Sequence, residues 1–288
     1  MSWWRKLNDA WAVRWGNAGM SDTDKAFTGS IPALYDRHLG PLIFAPYADD
    51  MAQRLAGLKQ GRLLEIAAGT GIVTRALDRT LPAPVRIVAT DLNQAMLDHA
   101  ATLTQSRRIE WRQADALSLP FKDDEFDAVI CQFGVMFFPD KRKAFAEARR
   151  VLKPRCRYVF NVWDRIEENE VAQPVSDAIA ACFPEDPPQF ARRTPYGYHD
   201  AELIHRELVA AGFVEIKSQV VTKRARAASA RDPAMGLCQG SPLRNEIMAR
   251  DPGRLEEATE AATKAVAAKL GPGPIDGKIQ AIVFEAMK

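Results

Sequence analysis

The sequence predicts an α/β protein with a doubly wound, mostly parallel seven-stranded sheet, a helical N-terminal cap and helical insertions. Residues 62–77 carry the first observation. Arg-Leu-Leu-Glu-Ile-Ala-Ala-Gly-Thr-Gly-Ile-Val-Thr-Arg-Ala-Leu is an apolar run, a small-residue turn, then apolar residues at helical spacing; it reads as a buried strand turning into a helix. This alternation continues to residue 163, as in a parallel sheet covered on both faces. Finally, Glu65, Asp91 and Asp115 all fall at strand ends, the carboxyl edge where open α/β sheets bind ligands.

Taken in order, residues 1–60 form the cap, 61–164 the core, 165–200 an insertion, and 201–288 the rest of the core with a helical insertion at 228–273. Residues 1–20 hold four of the six tryptophans, and on a helix Trp4, Trp11 and Trp15 share a face near Arg5, Lys6 and Arg14. That face predicts a lid docked on the body of the protein, with contact to a membrane surface as the alternative. A helix follows over 45–58, and the first strand ends at residue 67. Further strands are expected at 87–91, 109–114, 126–132 and 158–163, with helices from 72, over 94–103 and near 143–152. Pro184, Pro187, Pro188 and Pro195 make 164–200 read as irregular. A helix over 201–211 stops at Gly212; a strand at 214–221, helical sequence at 245–249 and 254–270, and a last strand at 278–284 complete the chain. An insertion between the last two strands lies beside the ligand mouth, so 164–200 and 228–273 are expected to build a pocket for a second ligand.

The glycine turn carries the chemistry. Gly69 and Gly71 let backbone approach a ligand where a Cβ would collide, and the first helical turn beyond them suits an anion. Dinucleotides and S-adenosylmethionine both use this geometry, so the loop alone does not choose. A dinucleotide loop would want glycine where Thr74 stands and an apolar residue in place of Glu65. Asp91, twenty residues past Gly71, suits the ribose hydroxyls of either cofactor. Asp115 stands where an adenine amino group could donate to it, and the strand at 126–132 runs into an aromatic turn reaching Phe138.

Together the glycine turn with Glu65, then Asp91, Asp115 and segment 126–138, resemble the class I S-adenosylmethionine-dependent methyltransferases, closest to the ubiquinone/menaquinone-biosynthesis-like group. The resemblance covers residues 31–164. It implies a Rossmann-like fold, S-adenosylmethionine as cofactor, and methyl transfer to a small organic acceptor (aromatic, amine or lipid-like) at O, N, C or S. It also implies a cofactor site drawn from Tyr35, Glu65, Ala67, Gly69, Thr70, Gly71, Asp91, Leu92, Met96, Asp115, Ala116, Gln132, Phe133 and Phe137. Tyr35 would lie near the methionine end of the cofactor, with Phe133 and Phe137 flanking adenine or acceptor. Two positions depart from the family. Ala67 replaces a glycine, tolerable if its φ is negative. Leu-Lys-Pro-Arg-Cys at 152–156 replaces a two-glycine turn, which predicts strain at Arg155 or Cys156, or a rebuilt turn.

Composition narrows the field. The 288 residues suffice for one good core with additions, and 47% hydrophobic with 26% charged residues is ordinary for a soluble domain. A net charge of +2 gives no reason to expect nucleic acid. Four well-separated cysteines without CxxC argue against a metal cluster or disulfide framework and for a reducing cytoplasm. No apolar run spans a bilayer or reads as a signal peptide. The sequence does not set the oligomeric state.

Methyl transfer from a sulfonium chiefly needs nucleophile and methyl held together in a dry site, whereas a phenol acceptor gains from a base. His199, following the aromatic loop 195–198, is the first candidate base and His38 the second; structural roles are the alternative for both. Cys131 lies inside an apolar strand and reads as an inert core thiol. The apolar residues around Phe133, Met136, Phe137 and Phe138 favour a small organic acceptor. Two other functions compete: an NAD-dependent oxidoreductase, opposed by Glu65 and Thr74, and a non-catalytic S-adenosylmethionine-binding regulator, opposed by the two long cap segments.

Overall fold

A computed structural model describes residues 24, 27 and 29–288; the tryptophan-rich segment 1–20 and the lid expected there lie outside the described residues. The apolar runs become β1 (Gly61–Ile66), β2 (Val85–Asp91), β3 (Ile109–Gln113), β4 (Phe126–Gln132), β5 (Leu152–Trp163), β6 (Val214–Ala227) and β7 (Ile275–Met287). They form one sheet in the order β3-β2-β1-β4-β5-β7-β6. β1 to β5 run parallel, and β7 is antiparallel to both β5 and β6. The central strands are covered on both faces, which is why Leu63, Leu64, Val129 and Ile130 are all fully buried instead of alternating with polar residues.

The returning helices are Ile72–Thr80, Gln94–Thr102 and Lys141–Val151. Val73, Ala76 and Leu77 face the core from the first, and Asp140 caps the third by accepting from the Lys143 N–H at 2.9 Å. Because every parallel strand ends at the same edge, the loops after β1, β2, β3 and β4 gather there. The cap is helical as well: Ile31–Leu34, a wide turn of helix at Tyr35–Phe44, then Ala45–Arg54. Pro41 supplies no N–H inside the middle stretch, and the Ala45 N–H reaches back five residues to the Gly40 carbonyl. Buried Tyr47 pins the cap to the sheet, its hydroxyl 3.0 Å from the carbonyls of Val221 and Ile279.

Several sequence expectations are corrected. Segment 164–200 is not irregular throughout, since it holds a helix at Ala172–Cys182 and a short one at Phe190–Arg193. Pro174 sits in the first turn of that helix, where backbone N–H groups lack an intrahelical partner in any case. With Arg231–Gln239, Leu243–Arg250 and Leu255–Leu270 it encloses a second core built on Val175, Ile179, Ile247, Ala262 and Val266. β1 stops at Ile66, one residue early, because Ala67 turns to φ 56°. Residues 152–156 make no tight turn. They belong to β5, where a register shift lets Leu152 pair with Phe126 and Arg157 with Ala128. The expected strain settles on Arg155 at φ 63°, a left-handed conformation that costs a non-glycine residue about 1–2 kcal/mol. Its N–H donates to the Lys288 carbonyl at 3.2 Å, so pairing with the end of β7 holds the bend.

Candidate functional site

The loops at the carboxyl edge enclose a cavity of about 860 Å³, mouth included. Tyr35, Ala67, Gly69, Asp91, Leu92, Met96, Asp115, Ala116, Gln132, Phe133 and Phe137, all singled out from the sequence, line it. Asp91 is the best-held of them. It ends β2, is 8% exposed, and accepts from the Gly69 N–H through Oδ2 and the Asn93 N–H through Oδ1, each at 2.8 Å. Burial raises its carboxyl above the ordinary range, and those backbone donors pull it back. Oδ2 keeps a lone pair for a further donor, and the second lone pair of Oδ1 meets only a long contact, 3.5 Å, from Asn93 Nδ2. Asp115 accepts from the Leu117 N–H at 2.9 Å through one oxygen. At the end of β4, Gln132 Nε2 donates to the Phe44 carbonyl at 3.3 Å, while its Oε1 is buried without a partner among the described residues. A buried acceptor left so wants a donor.

Glu65, Thr70 and Gly71 stand behind this wall. Glu65 is 1% exposed and accepts from the Thr74 hydroxyl at 2.6 Å, so the threonine that breaks a dinucleotide fingerprint serves as its donor. Burial pushes the Glu65 carboxyl up to about 8. The Thr70 hydroxyl donates to Asp36 at 2.8 Å, and Arg75 joins Asp36 to the Thr70 carbonyl. This knot ties the glycine loop to the cap beside Tyr35. Gly71 has φ 77°, and a Cβ there would lie 2.7 Å from the Trp111 ring. Ala67 also has positive φ, 56°, contrary to the condition under which the sequence tolerated it; the strain sits in the wall of the cavity.

A second cavity of about 660 Å³ adjoins the first, and Phe27, Tyr35, Phe133 and Phe137 line both. The cap contributes Phe44, segment 164–200 contributes Ser176 and Tyr196, and segment 228–273 contributes Leu237 and Leu243. Aromatic rings frame it. Phe133, at φ 51°, stacks on Trp163 at 3.8 Å with planes 8° apart, and Tyr35 stacks on Phe44 at 4.8 Å. Buried Asp24 fastens the start of the cap, meeting Arg193 at 2.6 Å and the Thr194 hydroxyl at 2.8 Å, while Arg193 also binds Glu246 at 2.7 Å.

Neither candidate histidine lines either cavity. His199 Nδ1 lies 2.9 Å from the Tyr196 carbonyl, and His38 Nδ1 lies 3.7 Å from Asp232. Cys131 is fully buried, and burial pushes its thiol up to about 12, an inert group. The sequence reading missed Phe27, Asn93, Gly134 and Trp163. Trp163 ends β5 and could have been found by the strand-end rule that found Asp91. Gly134 has ordinary φ; it is needed because a Cβ there would lie 2.5 Å from that of Ala67 and 2.6 Å from Cys131 Sγ.

Residues 64–160 match the family described as a methyltransferase domain. The chain is 34% identical over 143 residues to a demethylmenaquinone methyltransferase of Lactiplantibacillus plantarum, an alignment spanning 48% of this chain and 58% of the relative. It is equally identical over 137 residues to the ubiquinone/menaquinone biosynthesis C-methyltransferase UbiE of Pseudomonas savastanoi, across 46% and 53% of the two chains. The chain thus spans little more than half the length of these relatives. Among solved structures, phosphoethanolamine N-methyltransferase 2 of Haemonchus contortus, in complex with S-adenosyl-L-methionine, superposes with TM-score 0.59 at 17% identity, over 94% of this chain and 60% of that one. The [4+2]-cyclase SpnF superposes with TM-score 0.55 at 20% identity, over 89% and 93%. At such identities these two speak to the fold alone. Residues 64–160 are thus similar to a methyltransferase domain, and they lie in a sheet of the fold that these solved structures share.

Proposed function

We propose that the protein transfers a methyl group from S-adenosylmethionine to a small organic acceptor. The observation that carries this reading is the junction of the two cavities at Tyr35, Phe133 and Phe137: one holds carboxylates and an amide acceptor, the other is apolar. The first suits the cofactor. Asp91 offers acceptor lone pairs to a pair of ribose hydroxyls, and the partnerless Gln132 Oε1 suits an ammonium donor. At Gly69 a Cβ would find only Met96 Cε, 3.6 Å away, so the loop leaves room for a ligand to approach. When bound, S-adenosylmethionine supplies a methyl already activated on a sulfonium.

The protein's own share is positioning and drying. Asp91 fixes the donor's orientation, and the knot of Asp36, Thr70 and Arg75 holds Tyr35 over the junction. Phe133 and Phe137 exclude water between the cavities. On this reading 61–164 binds the donor, while 1–60, 165–200 and 228–273 enclose the acceptor. No helix among the described residues is long and apolar enough to cross a membrane. We place the enzyme in the cytoplasm, acting on small molecules and not on nucleic acid. Hydrogen exchange over residues 1–20, with S-adenosylhomocysteine and then with liposomes, separates a lid from a membrane-surface contact.

Incubation with methyl-labelled S-adenosylmethionine and a metabolite extract, followed by mass spectrometry, tests the proposal. A labelled small-molecule product is expected. Bound S-adenosylhomocysteine with no labelled product would instead indicate a regulatory binding protein.

A further inference from the structure

We infer that the second cavity takes an uncharged nitrogen nucleophile on an apolar ring system, which attacks through its own lone pair without a protein base. The inference rests on the methyl-transfer reading above and adds the acceptor's class to it.

The wall itself argues the case. No Asp, Glu, His, Cys, Lys or Arg lines this cavity among the described residues. An ionised acceptor would lose its hydration and find no counter-charge there. The nearby Asp24, Arg193 and Glu246 lie outside the lining and are bound to one another. Ser176 and Tyr196 line the cavity, and their hydroxyls enter no hydrogen bond among the described residues. Burial holds the Tyr35 and Tyr196 phenols above their ordinary range. These groups can therefore donate to a ligand, and none accepts a proton readily near neutral pH.

The rings supply what a neutral nitrogen needs. Phe44 lies 6.2 Å and Tyr196 5.8 Å from Trp163, centroid to centroid, and Tyr35 stacks on Phe44. As the nitrogen lone pair forms the new C–N bond, the C–S bond breaks and its electrons go to sulfur, giving neutral S-adenosylhomocysteine. The nitrogen becomes positive, and aromatic faces stabilise such a charge in a desolvated site. Where the nitrogen carried a hydrogen, that proton passes to water on release. A phenol would have to lose its proton first, and among the described residues the wall holds no group to take it.

Phenylimidazole and para-phenylphenol, matched in size, test the inference in the protein saturated with S-adenosylmethionine. Phenylimidazole should be methylated, with a rate–pH midpoint equal to the free probe's own titration, and para-phenylphenol should react about 10²-fold more slowly, the lower end of what a general base supplies. Calorimetry on the S-adenosylhomocysteine complex adds a readout without turnover: the N-methylated phenylimidazolium should bind more tightly than biphenyl carboxylate. Equal or faster reaction of the phenol, a shifted midpoint, tighter carboxylate binding, or no methylation of phenylimidazole while S-adenosylhomocysteine binds would each overturn it. Failure to bind S-adenosylhomocysteine at all would overturn the methyl-transfer reading itself, a distinct result.

Discussion

The two cavities share a wall but are built differently. The first is made at strand ends, with its polar groups pinned by backbone: Gly69 and Asn93 N–H groups hold Asp91, and the Leu117 N–H holds Asp115. The second is made of side chains from the cap, the Ala172–Cys182 helix and the insertion between β6 and β7; the Ser241 hydroxyl is bound to its own helix end, while those of Ser176 and Tyr196 enter no hydrogen bond among the described residues. A strand end fixes one donor geometry closely. Helical cap segments with a separate small core can change their side chains without disturbing the sheet. The difference suits an invariant cofactor beside a specialised acceptor.

The largest expected effect breaks the first cavity alone. Asp91→Ala removes a carboxylate that would accept from two hydroxyls and strips the Gly69 and Asn93 N–H groups of their acceptor. It should weaken S-adenosylhomocysteine binding by about 2–4 kcal/mol in calorimetry, two charge-assisted bonds at their usual worth. Next comes the second cavity. Ser176→Leu fills its floor and should raise the acceptor KM about tenfold, roughly the 1.4 kcal/mol scale of one misfit side chain, with S-adenosylhomocysteine affinity unmoved. A change in both constants would mean the cavities are not separate.

That division also explains what could be read from the sequence. The parallel core was legible because one pattern repeats: apolar strand, turn, amphipathic helix, with a polar residue where the strand ends. Glu65 was legible as a strand-end acid but not as a residue behind the wall, since burial depends on packing by Thr74 and the cap. The cap was less legible. Pro184, Pro187, Pro188 and Pro195 made all of 164–200 read as irregular, yet they lie outside the helices Ala172–Cys182 and Phe190–Arg193, between and after them, and nothing in local spacing brings Phe44, Ser176 and Tyr196 together. Ala67 was misjudged as well: the sequence tolerates it at negative φ, but it turns at φ 56°, and that turn brings its Cβ to where only a glycine fits at 134.

A subtler prediction concerns pH. The buried Glu65 carboxyl sits at about 8 against an ordinary value of 4.5. Between these values the folded protein keeps a proton that the unfolded chain has released, so stability falls as pH rises through that window. Below 4.5 both states are protonated and the penalty is absent; above 8 it is complete. Glu65→Gln keeps an acceptor for Thr74 and should flatten the denaturation midpoint across the window. An unchanged slope would place the titration elsewhere. The smallest effect is expected at the histidines: with both outside the cavities, His199→Gln and His38→Gln should leave turnover within about twofold, far from the 10²-fold or greater loss of a general base. A loss of that size at His199 would put a base at the acceptor after all.

Calorimetric titration of the wild-type protein with S-adenosylhomocysteine and, separately, with NADH tests the central claim most directly. The pinned carboxylate of Asp91, the open approach at Gly69 and the partnerless Gln132 Oε1 predict saturable binding of S-adenosylhomocysteine and none of NADH. Binding of NADH with indifference to S-adenosylhomocysteine would contradict the account.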